Sequence, residues 1–368
     1  MRLLLLTVLF VVSVASPATA VGPEAREAPT FNGTVQAVAY LGGTVYVGGT
    51  FTKASWGGRI YPRERLAAFD GRTGELLKWA PAADGPVRAL ATTPGAVFAA
   101  GDFHRIAGEK RDSIARLSPT EDTVHSFRAD VQGTPYALAA GNGRLYLGGS
   151  FSRVNGRKAR NLVAFSLLTG KVDGRWRAAA DARVHALAVA RGQVFLGGSF
   201  TKVGAVKGYP RLAAVDATTG ALTRRFRPEA PADVNAVTVD GDGVYAAAGG
   251  RGGRAAAYRL DGSTRWQRVF DGDATAITTI GGVAYVGGHF DRVCLTARNG
   301  AQGTCLDGSV SRVKLAAVTA GGRLTEWKPQ ANGVIGVRVL ASAPNGALDA
   351  GGDFTMIGGL LRPRFARF

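Results

Sequence analysis

Short stretches of alternating apolar and polar residues recur along the whole chain, separated by turn residues. In one such unit, Val184 to Val189 alternates, Arg191-Gly192 forms a turn signal, and Gln193 to Phe200 continues the apolar pattern. A loop then leads to a third apolar stretch, Arg211 to Asp216, and to an outer segment that ends at Phe226. Alternation of this length between turn signals is typical of antiparallel strands. Each unit is therefore predicted to form a four-stranded antiparallel sheet.

The unit recurs seven times, marked by a glycine-aromatic signature at the end of its second strand. The signature stands at Gly48–Phe51, Ala100–Phe103, Gly148–Phe151, Gly197–Phe200, Ala247–Gly250 in a degenerate form, Gly287–Phe290 and Gly351–Phe354. Recurrence about every 45 to 65 residues is typical of propeller blades and not of helical solenoids. The prediction is an all-β fold, a seven-bladed β-propeller of four-stranded antiparallel blades.

The two ends of the repeat array complement each other. The seventh copy stops at Arg364–Phe368, its third strand, whereas Glu27–Gly33 matches Trp79–Gly85, the end of a fourth strand. The N-terminal strand is therefore predicted to complete the last blade and close the ring, which leaves no exposed sheet edge. Residues 21–368 are assigned to this single propeller domain.

Residues 1–20 have the organisation of a secretory signal peptide. Arg2 precedes an apolar stretch, Leu3–Val14, and Ala18-Thr19-Ala20 supplies small residues at the cleavage point. A membrane anchor is the alternative, but the apolar stretch is shorter than the roughly 20 residues that span a bilayer. The protein is predicted to be secreted after cleavage behind Ala20, extracellular, monomeric and without a transmembrane segment.

The charge of the chain narrows the choice of partners. The formal net charge is +18, and removal of residues 1–20 leaves +17 because they contain one Arg and no acid. This excess favours an anionic polysaccharide or another cell-surface polymer as partner. The alternative is that the dispersed bases are only a solvated surface. Nucleic acid is not expected for a secreted chain with scattered bases, whereas a protein partner stays open.

Two sets of polar residues are predicted to ring the channel mouth on the top face. An acid or amide precedes the inner strand of every copy, at Asn32, Asp84, Asp130, Asp181, Asp233, Asp273 and Asn332. A base follows the signature Phe by two residues in five copies, at Lys53, Arg105, Arg153, Lys202 and Arg292. The ring is interpreted either as a ligand-binding site or as a set of side chains that fix their own turns.

Signals for catalysis, metals and cofactors are weak. The two cysteines, Cys294 and Cys305, lie in an insertion of an exported chain and are predicted to form a disulfide. With His289 alone nearby, they are too few for a closed zinc site, so neither a metal nor a cofactor is predicted. The predicted function is a non-catalytic extracellular binding or scaffolding module. The alternative is a secreted carbohydrate-active enzyme that uses top-face carboxylates such as Asp84 and Asp130.

The repeat also resembles a known family. Its loop Gly197–Gly204, strand Arg211–Asp216, turn Thr73–Leu76 and segment Trp79–Pro81 are similar to the delta-60 type β-propeller repeat of secreted bacterial proteins. The resemblance extends over essentially all of residues 21–368 and implies no agreed biochemical activity.

The stretch from Ala68 to Trp79 further resembles the docking motif of quinoprotein propellers. Those enzymes use an adjacent cysteine pair and calcium ligands around the quinone. Here the two cysteines are separated within one loop, so quinone chemistry is not predicted.

Overall fold

The computed structural model describes residues 21–368, and the predicted signal peptide lies outside the described residues. Within this range the structure has seven larger antiparallel sheets, numbered here in chain order. The inner strands are Val35–Leu41, Val87–Thr93, Val131–Gly141, Val184–Ala190, Val234–Val239, Ala274–Ile280 and Val337–Ser342. The second strands are Thr44–Gly49, Ala96–Gly101, Arg144–Val154, Gln193–Gly198, Val244–Ala248, Val283–Gly288 and Leu348–Gly352. The third strands are Leu66–Asp70, Ile114–Leu117, Leu162–Ser166, Leu212–Asp216, Arg254–Tyr258, Leu315–Val318 and Phe365–Arg367.

Short hairpins connect the second and third strands in every sheet except the fifth. They comprise Lys53–Trp56 with Arg59–Pro62, Arg105–Ile106 with Glu109–Lys110, Arg157–Lys158 with the end of its long second strand, Lys202–Val203 with Val206–Lys207, Arg292–Cys294 with Ser309–Ser311, and Met356–Ile357 with Leu360–Leu361. The segment that enters an inner strand pairs with the hairpin of the same sheet, as Thr30–Phe31 does with Lys53–Trp56. Hairpins and entering segments therefore share one face, called the loop face below. The sole helix in residues 21–368 is a single 3-10 turn, Ala301–Gly303.

The outer edge of most sheets differs from the prediction. Among the described residues, only the fifth sheet has a regular fourth strand, Thr264–Val269. In the other sheets the third strand meets the outer segment at a single bridge: Phe69↔Leu76, Leu117↔Val124, Phe165↔Val172, Val215↔Leu222, Val318↔Leu324 and Arg26↔Arg367. Four of these outer segments carry a proline, at Pro29, Pro81, Pro228 and Pro329, and proline has no N–H for a strand ladder. The prediction of four regular strands in every sheet was therefore wrong.

The paired glycines of the repeat signature serve two different close approaches. A Cβ on Gly48 would lie 2.7 Å from Cγ1 of Val87, in the inner strand of the next sheet. A Cβ on Gly49 would lie 2.0 Å from the carbonyl oxygen of Thr34, in its own sheet. Neither distance leaves room for a side chain, so the first glycine permits sheets to pack and the second permits the turn into the inner strand.

Aromatic pairs fill the space between successive sheets. In the first sheet, the ring of Tyr46 on the second strand lies 5.0 Å from Trp79 of the outer segment. Trp79 Nε1 donates a 2.9 Å hydrogen bond to the carbonyl oxygen of Ser118, which follows the third strand of the second sheet. The indole is thus held between two sheets, and buried alanines on the neighbouring strands leave room for it.

The N-terminal segment contacts the last two sheets. Val21 N donates to Tyr285 Oη at 3.1 Å, and Trp327 Nε1 donates to the carbonyl oxygen of Gly22 at 3.1 Å. Further along, Arg26 N donates to the carbonyl oxygen of Arg367 at 2.7 Å. The inner strand of each sheet packs beside that of the next, and the seventh packs beside the first.

The seventh sheet contains a fully buried carboxylate. Asp349 accepts hydrogen bonds from Arg367 Nε at 2.7 Å and from Tyr40 Oη at 2.9 Å. Arg367 also donates to the carbonyl oxygen of Gly71 and lies over the ring of Phe69, both in the first sheet. This group of five residues, called the buried polar cluster, therefore joins the seventh sheet to the first.

The insertion in the sixth sheet carries the predicted disulfide. The sulfur atoms of Cys294 and Cys305 lie 1.99 Å apart, which confirms the pairing. The loop between them reaches the fifth sheet, where Asn299 Oδ1 accepts a 3.2 Å hydrogen bond from Arg254 Nη2. The insertion thus covers the position at which the fifth sheet lacks a hairpin.

Candidate functional site

Four of the predicted acids and amides hold the hairpin of their own sheet. Asp84 Oδ1 accepts hydrogen bonds from the backbone N–H groups of His104 and Arg105, at 2.8 and 3.0 Å. Asp181 accepts equivalent bonds from Thr201 and Lys202 at 2.8 and 2.9 Å. Asn32 and Asn332 repeat the arrangement in the first and seventh sheets. These four side chains have the turn-fixing geometry that was one of the two interpretations.

The other three predicted members do not share this geometry. In the sixth sheet the hairpin is held by Asp271, whose Oδ1 accepts from the backbone N–H groups of Asp291 and Arg292 at 2.9 Å each. Asp233 and Asp273 lie two residues nearer to the inner strand than this position, and Asp130 precedes an inner strand extended by irregular pairing. The placement of these three in one equivalent set was wrong, because sequence spacing does not reveal where each inner strand begins.

The pKa values of two of these carboxyls suit a structural role. Partial burial raises the pKa of Asp84, but hydrogen bonds from the backbone N–H groups of Arg105 and His104 outweigh it, so the net pKa is lowered. The pKa of Asp181 is lowered for the same reason, by Thr201 and Lys202 against burial. A general acid needs a raised pKa, so neither carboxyl is suited to protonate a glycosidic oxygen.

The predicted bases stand on the hairpins of the loop face. Lys53, Arg105, Arg153 and Arg292 are exposed, and Lys202 is half-buried. Arg153 Nη1 donates to its own loop at the carbonyl oxygen of Gly156, 2.9 Å away, and Arg105 makes the matching bond to Gly108. These side chains are spread over five sheets, so they do not form one compact site.

Repeat three carries a denser group of bases that the sequence reading missed. Two adjoining cavities, of about 490 and 470 Å³, share Lys158 and Arg160 in their walls. Arg157 and Arg177 line the larger one. The four side chains are exposed and form no ion pair within residues 21–368. These four residues are called the basic groove.

A second unpredicted feature lies where the inner strands converge. Each inner strand carries an irregularity that inserts one extra residue, a β-bulge that re-aims a side chain. The extra residues are Gln36, Arg88, Tyr136, His185, Asn235, Thr275 and Arg338. Residues from the inner strands of all seven sheets line one cavity of about 220 Å³, called the axial cavity. Of these seven residues, the sequence analysis named none as a site residue.

Metal and quinone sites find little support in the residues present. Within the described chain, no group of three or more His, Cys, Asp and Glu side chains is placed to hold a metal ion. The single cysteine pair lies in the surface insertion of the sixth sheet, with its Cα atoms 5.1 Å apart. The residues present therefore do not fit a quinone cofactor of the type used by quinoproteins.

The packed antiparallel sheets and the axial cavity define an all-β propeller. Residues 83–342 match the family model of the outer membrane protein assembly factor BamB, and the chain belongs to that family. No curated protein matches the chain.

Two solved structures carry the same architecture. The chain is similar to the WD40 β-propeller domain of Doa1, with 9% identity, 92% of this chain and 94% of that chain covered, and a TM-score of 0.57. It is also similar to the computationally designed Ika8 protein, with 14% identity, 92% and 98% covered, and a TM-score of 0.51. At these identities the likeness concerns the fold alone. No helix in residues 21–368 is long and apolar enough to cross a bilayer.

Proposed function

We propose that the protein is a non-catalytic extracellular binding module that holds anionic polysaccharide or another anionic cell-surface polymer. The basic groove carries this proposal. It places Arg157, Lys158, Arg160 and Arg177 around two adjoining cavities, and none of the four forms an ion pair within residues 21–368. The two carboxylates in the cavity walls are engaged elsewhere, Asp173 with Arg144 and Asp181 with the backbone N–H groups of its own hairpin. A row of uncompensated cations attracts a polyanion and raises its local concentration. Asp84, which the glycosidase alternative uses as a catalytic carboxyl, is instead bonded to the backbone N–H groups of His104 and Arg105.

The proposed scaffold is one closed propeller of seven blades over residues 21–368, acting as a monomer. Support comes from the axial cavity, whose wall includes all seven inner strands. Further support comes from the N-terminal segment, because Arg26 bridges Arg367 just as Leu76 bridges Phe69 in the first sheet. In this proposal the N-terminal segment occupies the outer position of the seventh sheet.

We further propose that the chain is exported through the signal peptide in residues 1–20 and is related to the delta-60 type of propeller repeat. The disulfide between Cys294 and Cys305 supports export, because such bonds persist in oxidising compartments. The repeat order described above supports the relationship.

Retention on immobilised heparin, compared with neutral dextran, tests the binding proposal. The variant Arg157→Gln/Lys158→Gln/Arg160→Gln is compared with a control of equal charge change, Arg224→Gln/Arg225→Gln/Arg323→Gln, whose exposed bases lie outside the groove. The native protein should elute from heparin at higher salt than from dextran, because dextran carries no charge to attract the bases. Salt weakens the attraction to heparin, since the screening length is only about 8 Å at physiological ionic strength. The groove variant should elute earlier than the control.

Equal elution of the two triple variants would leave net charge as the only cause of retention and contradict a dedicated site. Equal retention on heparin and dextran would contradict the proposal that the partner is an anionic polymer. Loss of the groove bases should not lower the melting temperature, because exposed charges contribute little to stability.

A protein partner is a second candidate, because large apolar side chains are exposed on the loop face. Ile60 and Leu361, on the hairpins of the first and seventh sheets, are 68% and 69% exposed. The matching family model carries the description of an assembly factor. Docking of another protein is therefore a natural role for such a surface. A photo-crosslinking residue at Ile60 should capture one discrete partner in cells, whereas the same residue at Leu168, which is 93% exposed in an outer turn, should not.

A further inference from the structure

The bulge residues around the axial cavity fall into two groups. Two of them tie neighbouring inner strands together: Asn235 Nδ2 donates to the carbonyl oxygen of Ala274 at 3.0 Å, and Thr275 Oγ1 donates to that of Val337 at 2.6 Å. Their hydrogen-bonding groups are therefore occupied by the fold. The remaining bulge residues, on sheets seven, one, two, three and four, are basic, aromatic or amide side chains.

Two of these five positions are arginines, Arg88 and Arg338. Arg88 is held by Asp102, whose Oδ2 accepts from Nε at 2.8 Å, and its guanidinium lies 5.6 Å from the ring centre of Tyr136. Arg183 stacks on the same ring at 5.1 Å. Neither Arg183 nor Arg338 forms an ion pair in residues 21–368. Asp102 thus compensates Arg88, whereas Arg338 has no carboxylate partner and leaves positive charge at this side of the cavity.

Gln36 adds an adaptable polar group between Arg338 and Arg88. It lines the axial cavity, and its Oε1 is buried without a hydrogen-bond partner. An unpaired buried acceptor is costly. No hydrogen bond within residues 21–368 holds this side chain, so its amide can rotate without breaking one. A ligand hydroxyl in the cavity can then donate to the amide oxygen or accept from the amide nitrogen.

We propose that the axial cavity binds a small hydroxylated carboxylate, of the sugar-acid class, through Arg88, Arg338 and Gln36. Guanidinium groups pair well with carboxylates because they offer several donors in a fixed plane. The amide of Gln36 meets a ring hydroxyl. The volume of about 220 Å³ lies below the roughly 300–1,000 Å³ of drug-sized sites, which suits one monosaccharide unit.

This site does not depend on the polymer bound by the basic groove, and its test uses single sugars. Binding of sodium D-glucuronate is measured by calorimetry beside D-glucose, which has the same ring without the carboxylate. Glucuronate should bind with saturation and glucose should bind at least about tenfold more weakly, since the charged hydrogen bonds are lost. Equal binding of the two sugars, or no binding of glucuronate, would overturn the proposal.

Two variants test whether glucuronate binds within the axial cavity. Arg338→Gln should weaken glucuronate binding by about tenfold or more, whereas Arg323→Gln, an exposed base on an outer turn, should leave it unchanged. Arg338 is exposed, so its variant should retain the native melting temperature. Undiminished glucuronate binding by the Arg338 variant would also overturn the proposal. Retention on heparin should not change in this variant, and the triple variant of the basic groove should bind glucuronate normally, so the two proposals fail separately.

Discussion

Six sheets and the seventh are held to their neighbours in different ways. In each of the six, an aromatic residue on the second strand packs against an aromatic residue of the outer segment or fourth strand. The pairs are Tyr46–Trp79, Phe98–Phe127, Tyr146–Trp176, Phe195–Phe226, Tyr245–Trp266 and Tyr285–Trp327, with ring centres 5.0 to 6.1 Å apart. In the seventh sheet the matching position on the second strand is Asp349, the centre of the buried polar cluster.

The difference follows from the chain that fills the outer position. In the seventh sheet this chain is the N-terminal segment, where Glu27 stands at the position of Trp79 and supplies no aromatic ring. Arg367 and Tyr40 fill the space instead and satisfy the carboxylate of Asp349. Aromatic pairs contribute buried area and accept more than one ring orientation, whereas a buried ion pair tolerates few arrangements. We therefore expect the contact between the seventh sheet and the first to add more to specificity than to stability.

Removal of the N-terminal segment should have the largest effect on this contrast. Deletion of Val21 to Asn32 takes away the bonds to Tyr285, Trp327 and Arg367 and exposes the edge of the seventh sheet. Solubility and melting temperature should both fall sharply, as measured by centrifugation and calorimetry. As a finer test, Arg26→Pro removes the N–H that bonds Arg367, while Arg26→Ala keeps it. If both point variants and the deletion melt like the native chain, the segment is a free tail.

Removal of one partner from the buried polar cluster should have the next largest effect. Asp349→Ala leaves the guanidinium of Arg367 buried without its carboxylate, which should cost about 3–5 kcal/mol in the free energy of unfolding. The double variant Asp349→Leu/Arg367→Met should recover most of this loss, because well-packed apolar residues often replace a buried pair without penalty. Urea denaturation measures both. A double variant no more stable than Asp349→Ala would show that the cluster itself stabilises the contact.

A hydroxyl deletion in an aromatic pair should cost less than loss of the buried carboxylate. Tyr46 Oη donates to the carbonyl oxygen of Pro119 at 2.8 Å, across the junction of the first and second sheets. Tyr46→Phe keeps the ring against Trp79 and removes this bond, so the free energy of unfolding should fall by about 1 kcal/mol. Urea denaturation measures the change, with Tyr61→Phe, in which the hydroxyl has no such role, as control. A loss as large as that of Asp349→Ala would erase the distinction between the two kinds of junction.

The smallest expected effect concerns acid pH and the turn after the third strand. Hydrogen bonds from the backbone N–H groups of Thr73 and Arg72 lower the pKa of Asp70. A carboxyl with a lowered folded-state pKa stabilises the fold above its unfolded pKa of about 3.9 and loses that contribution as pH falls through the folded value. The seventh sheet has no such turn within residues 21–368. Asp70→Asn should therefore flatten the decline in melting temperature below about pH 4, and an unchanged slope would contradict this assignment.

Sequence spacing was enough to predict the repeating sheets, because alternation and the glycine signature are local properties. It also placed the disulfide, since two cysteines in one insertion leave a single pairing. It could not locate the bulge residues such as Arg88 and Arg338, because a bulge is defined by the pairing of two strands and not by either strand alone. For the same reason Asp273 was grouped with Asn32 and Asp84, whereas Asp271 holds the hairpin of the sixth sheet.

The basic groove could not be predicted from the sequence for a different reason. Its bases are separated along the chain and stand among many similar residues, so nothing in their order distinguishes them from Arg224 or Arg323. Only the shape of the surface around repeat three, where two cavities adjoin, sets them apart. Burial of Asp349 was equally hidden, because its partners Tyr40 and Arg367 lie at opposite ends of the chain.

The hydrogen bonds of the N-terminal segment also have a consequence for the order of folding. The bond from Val21 to Tyr285 joins residues 264 positions apart, and that from Trp327 to Gly22 joins residues 305 positions apart. During synthesis, the N-terminal partner of each bond leaves the ribosome long before the C-terminal partner has been made. The loop-closure entropy of such contacts is lost before they stabilise anything, which slows folding. The N-terminal segment must therefore remain unpaired until the last strands have been synthesised. Refolding should accordingly show a slow final phase, and a chaperone or a covalent link between the termini should shorten that phase.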